Sequence, residues 1–66
     1  MNIVVNGQTE DCAPGASISR FLSERAYEAS AVVVERNGQI IARDTFAPTT
    51  LQEGDCLEIV QFVGGG

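Results

Sequence analysis

The sequence predicts an α+β fold: a mixed sheet of four to five strands with one main helix across one face. Three observations carry that expectation. Two Asn-Gly pairs, Asn6-Gly7 and Asn37-Gly38, each follow a run of β-branched residues, the strongest short-range hairpin signal. One stretch, Ser17 to Ala26, carries apolar residues at helical spacing. A last apolar run, Cys56 to Val63, stands apart from both hairpins and can lie parallel beside the first strand.

Taken in order, Ile3-Val4-Val5 opens the sheet and turns at Asn6-Gly7. Gln8 to Cys12 returns antiparallel, and its polar residues suit an edge with one wet face. Ala13-Pro14-Gly15 breaks the strand, and Ser17 is a good N-cap for a helix reaching about Ala26. Ile18, Phe21, Leu22 and Ala26 fall on one face of it, while Ser19, Arg20 and Glu24 fall elsewhere. Phe21 reads as core. Glu28-Ala29-Ser30 makes a short connection into Ala31 to Arg36, and the second Asn-Gly pair returns that strand through Gln39 to Ala42. Arg43 to Thr50 reads as irregular, with one helical turn, Phe46 tucked beneath it and Pro48 ending it. Gln52-Glu53-Gly54-Asp55 is a tight turn into the last strand. With that strand central, parallel to the first and crossed by the helix, the arrangement is a β-grasp.

Alternation assigns the two faces. Ile3, Val5, Val32, Val34, Leu57 and Ile59 point toward the helix, and Val4, Val33, Val60 and Phe62 point away from it. The second set is apolar on a face that no helix covers, which marks a docking surface beside the end of the strand; scattered surface hydrophobes are the plainer alternative. Arg43 falls near the same region, free for an acidic partner or for solvent.

Length and composition bound the rest. At 66 residues the chain is one small domain burying about 60% of its unfolded surface. It divides into a body at 1–63 and a flexible glycine tail at 64–66, and it is expected to be monomeric when free. No long apolar run or cleavable leader is present, so a cytoplasmic location is expected. Cys12 and Cys56 lack metal-ligand spacing and read as small buried hydrophobes in a reducing compartment. The net charge is −5, and the four bases are all arginines, Arg20, Arg25, Arg36 and Arg43. That balance argues against nucleic acid and suits a basic protein partner.

Chemistry is sparse. Without histidine, the Ser-His and Cys-His nucleophile pairs are excluded. There is no phosphate-binding glycine motif and no metal-ligand cluster. Glu53, Asp55 and Glu58 read as a solvated charge run. The chain is therefore read as no enzyme, binding no cofactor or metal of its own. Its one group placed for chemistry is the carboxylate of Gly66, carried beyond the last strand by Gly64-Gly65-Gly66, with an ordinary frayed chain end as the plainer alternative. Three extended residues reach about 10 Å, thin enough to thread a narrow tunnel in a partner. A partner using ATP could activate that carboxylate as an acyl-adenylate for attack by sulfur.

Several segments together resemble one known family. They are Met1-Asn2-Ile3-Val4-Val5-Asn6-Gly7, Val34 to Arg43, Glu53-Gly54-Asp55-Cys56-Leu57-Glu58-Ile59-Val60 and Val63-Gly64-Gly65-Gly66. Over essentially the whole chain the sequence is similar to the ThiS sulfur carriers of thiamine biosynthesis, members of the ubiquitin-like β-grasp superfamily. One departure is Ala42, where the family often has proline before the arginine. The resemblance implies that Gly66 is adenylated by an E1-like enzyme of the ThiF type, using ATP. It is then converted to a thiocarboxylate with sulfur from a donor relay and delivers sulfur to a thiazole synthase of the ThiG type. Gly64 and Gly65 would be the tail that the partners recognise, and Val4, Val60, Phe62 and Arg43 the docking residues. The small subunit of molybdopterin synthase and other sulfur carriers share this fold and tail. A non-covalent β-grasp interaction module, a lysine-conjugated modifier and a thiol redox protein using Cys12 and Cys56 are the alternatives from other classes.

Overall fold

A computed structural model describes residues 1–63. Five strands, β1 (Asn2–Val5), β2 (Gln8–Asp11), β3 (Val32–Arg36), β4 (Gln39–Ile41) and β5 (Cys56–Gln61), form one sheet in the order β2-β1-β5-β3-β4. The single α-helix, α1 (Ile18–Glu24), follows the first hairpin. β5 is central, parallel to β1 and antiparallel to β3. That is the mixed β-grasp sheet expected from the sequence.

Both hairpins turn at their Asn-Gly pairs, with positive φ at Asn6, Gly7, Asn37 and Gly38. A two-residue turn of this hand matches the twist of its strands and needs residues that tolerate the left-handed region. Ser17 caps α1 by accepting from the Arg20 N–H at 3.0 Å.

The helix stops earlier than its periodicity suggested. Arg25 is its C-cap, and Ala26 takes a left-handed conformation with φ of 60°. Tyr27 N–H donates to Leu22 C=O, and Ala26 N–H donates to Ser23 C=O. That bonding pattern is a Schellman stop, usually built on glycine. Ala26 is consequently exposed rather than part of the core face, and its side chain carries a strain of about 1 kcal/mol.

The core lies between sheet and helix: Ile3, Val5, Val32, Val34, Leu57 and Ile59 meet Ile18, Phe21 and Leu22. Each large side chain buried there contributes about 1.5–3 kcal/mol. The segment between β4 and β5 closes its end. After a 3-10 turn at Arg43–Thr45, Phe46 and Leu51 enter the core. Their backbone is tied to the start of the helix through Ile18 N–H to Thr49 C=O and Leu51 N–H to Ala16 C=O. Phe46 was expected inside and Leu51 was not singled out. Among the described residues no helix is long and apolar enough to cross a membrane.

A strand clasped at its root and open at its exit

The last strand was expected to run to Val63, but sheet pairing ends at Gln61. β3 supports it over its full length, from Arg36 opposite Leu57 to Val32 opposite Gln61, and Phe62 N–H adds one more bond to Ala31 C=O at 2.8 Å. β1 is shorter. Its ladder pairs only Val4 with Cys56 and Val5 with Leu57 before the chain turns away.

At that point a side chain continues the ladder. The Asn6 amide accepts from Ile59 N–H at 2.8 Å and donates to Ile59 C=O at 3.3 Å, reproducing the two bonds of a missing strand residue. Asparagine carries both a donor and an acceptor, so it can fill both roles where aspartate could not. Arg43 acts similarly on the other flank. β4 ends at Ile41, and the Arg43 guanidinium donates to Ala29 C=O at 2.9 Å and to Val32 C=O at 3.2 Å. This arginine, expected near the docking surface, is thus bonded to the segment that receives Phe62 N–H.

The root of β5 is held more tightly. Asp55 is only 5% exposed, and its carboxylate accepts from Arg36 Nε at 2.9 Å, Asn37 Nδ2 at 3.0 Å and Gln52 N–H at 2.8 Å. Asn37 Oδ1 in turn accepts from Cys56 N–H at 2.9 Å. Burial alone would raise the Asp55 pKa. The bonds from Gln52, Asn37 and Arg36 outweigh it and hold the carboxyl below the usual aspartate value. Asp55 therefore leaves the solvated charge run in which the sequence placed it. The sequence did contain a signal: an acid just before the strand, between a turn glycine and an apolar run.

The face away from the helix carries Val4 and Val33, both half-buried, with Val60 opposite Val33 across the β3–β5 pair. Val60 is 53% exposed and Phe62 58%. The alternation also missed one member. Ile40, opposite Glu35 on β4, is 72% exposed. The expected docking residues Val4, Val60 and Phe62 therefore share this face, and Arg43 stands apart, on the β4 flank.

The cysteines differ from the expectation of two buried thiols. Cys12 is buried, and desolvation pushes its thiol pKa up. Cys56 is exposed, because its parity along β5 matches Glu58 and opposes Leu57. Among the described residues there is no pocket and no cluster of three potential metal ligands. The expected tail, Gly64, Gly65 and Gly66, lies outside the described residues.

The sequence profile of the ThiS family matches residues 3–66. The chain belongs to the ThiS family. A solved structure of the thiamine biosynthesis protein ThiS from Geobacter metallireducens is similar over 100% of both chains, with 36% identity and a TM-score of 0.84. The sulfur carrier protein ThiS of Escherichia coli is 29% identical over the full length of both chains. A thiazole synthase of Paramagnetospirillum magneticum is 35% identical over all 66 residues, although the chain spans only 20% of that protein's length. The family match takes in both Asn-Gly turns, whose asparagine side chains bond to β5, and extends through the glycine run in sequence.

Proposed function

We propose that this chain is a sulfur carrier of thiamine biosynthesis, loaded at Gly66. An ATP-dependent E1-like enzyme joins the Gly66 carboxylate to the α-phosphoryl group of ATP, with release of pyrophosphate. Sulfide-level sulfur (HS⁻) supplied by a donor system then attacks the acyl carbon and AMP departs, leaving a thiocarboxylate and a released proton. The thiocarboxylate passes its sulfur to a thiazole synthase. The chain itself acts as carrier and catalyses none of these steps.

The observation that carries this reading is the position of β5: central, clasped at its root, and ending two residues before three glycines. Such a strand fixes the starting point of a tail that has no bulk of its own. Val4, Val33, Val60 and Phe62 supply an apolar face beside it for the partner. The names of the relatives support the pathway: sulfur carrier for the Escherichia coli protein and thiazole synthase for the Paramagnetospirillum magneticum protein.

The test is pyrophosphate exchange into ATP catalysed by the host's adenylating enzyme. Exchange is expected to depend on this chain and to vanish when Gly66 is deleted. Exchange that persists with the shortened chain would rule out Gly66 as the acceptor.

A further inference from the structure

We propose that the backbone edge of β5 at Gln61 is a strand-addition site, at which the adenylating enzyme lays an extended segment beside the tail. The inference rests on the carrier reading for the identity of the partner, and on the register of the sheet for everything else.

Along β5 the backbone alternates sides. Cys56 and Phe62 direct their bonds toward β3, whereas Asp55, Leu57 and Ile59 direct theirs toward β1. Gln61 has the second parity. Asp55 C=O and Leu57 C=O are taken by β1 and its turn, and Ile59 is taken by the Asn6 side chain. Gln61 is the next residue on that side, and among the described residues its N–H and C=O have no partner there.

Natural sheets protect such edges with lysine, proline, a bulge or a covering loop. Here Gln61 is exposed and is flanked by the exposed Val60, Phe62 and Val63, the last 92% accessible. An unprotected edge that continues a rigid ladder and borders an apolar face is the arrangement used by strand-adding partners. Main-chain bonds then supply affinity and the flanking side chains supply fit. The occupant is a proline-free extended segment of the enzyme, whose backbone offers an N–H and a C=O at ladder spacing. Pairing here would also hold the chain straight as it leaves the sheet toward the reacting carboxylate.

Gln61→Pro removes the open N–H together with the side chain, and proline is tolerated at strand edges; Gln61→Ala removes only the side chain and serves as its control. Calorimetry of each full chain with the adenylating enzyme is expected to show roughly tenfold weaker binding for Gln61→Pro and wild-type binding for Gln61→Ala. Amide exchange on the wild-type chain gives a readout independent of any folding defect: the Gln61 N–H is expected to exchange fast when free and slowly in the complex. Equal Gln61 exchange in both states would overturn the proposal. So would protection in the free chain that grows with concentration, which would assign the edge to a second copy. A wild-type chain that is neither bound nor adenylated would instead remove the carrier reading.

Discussion

The two ends of β5 are built on opposite plans. At the root, Asp55 gathers three donors, two from the end of β3 and its turn and one from the loop before β5, and Asn37 ties the β3–β4 turn to Cys56. At the exit, β1 has turned away and Gln61 is supported from the β3 side alone. Apolar side chains crowd the surface there, and polar clasps crowd the root. The difference separates two duties that one strand must perform. Under the proposed carrier function, the root holds the strand to the sheet and the exit is left for another protein. Asn6 marks the boundary, since its side chain makes the last bonds on the β1 side.

The sharpest way to break this contrast is at the root. Asp55→Ala leaves Arg36, Asn37 and the Gln52 N–H without their shared acceptor and should cost about 3 kcal/mol, read as a drop in the urea midpoint. The same clasp fixes a pH dependence. The Asp55 pKa is lowered in the fold, so around the ordinary aspartate value, about 3.9, the unfolded chain binds more protons. Stability is then fully present above that value and falls as pH drops through the lower folded pKa. Asp55→Asn should flatten this acid limb, which urea titrations between neutral and acidic pH would reveal.

A smaller effect is expected at the boundary. Asn6→Gly keeps the left-handed turn while deleting the clasp on Ile59, and should cost about 1–2 kcal/mol. In hydrogen exchange the Ile59 amide should lose its protection while the Leu57 amide keeps most of its own. At the exit, Phe62→Asp should change stability by less than about 0.5 kcal/mol yet weaken binding to the adenylating enzyme roughly tenfold. Equal losses of stability and binding would mean that the exit is structural as well. Ala26→Gly, outside the strand, calibrates the scale: relief of the left-handed alanine should stabilise the chain by about 0.5–1 kcal/mol.

Much of this architecture is legible in the sequence, because local rules and global fold agree there. The Asn-Gly pairs fix two hairpins, Ser17 fixes the helix start, and the alternation of Leu57 and Ile59 with Glu58 and Val60 fixes the faces of β5. The exposure of Cys56 is contained in the same alternation, which should have outweighed the general tendency of cysteine to be buried. What could not be read were residues serving a second purpose. Asn6 and Asn37 look like turn formers, and their use as clasps depends on how far neighbouring strands extend. Asp55 looks like one acid among three until Arg36 and Asn37 arrive from 19 and 18 residues away in sequence. Ala26 conceals a helix stop because alanine signals continuation, whereas its left-handed conformation leads into Tyr27, which packs partly buried against the core. Ile40 lies on a short edge strand, where three residues give too little alternation to assign a face.

One measurement bears most directly on the claim that this strand exists to present a reactive glycine. It is the intact mass of the chain after incubation with its adenylating enzyme, ATP and a sulfur donor. A gain equal to the exchange of one oxygen for sulfur, absent when Gly66 is deleted, is the expected result. An unchanged mass, with enzyme and donor shown to be active on another carrier, would contradict it and leave a β-grasp module that binds partners without carrying sulfur.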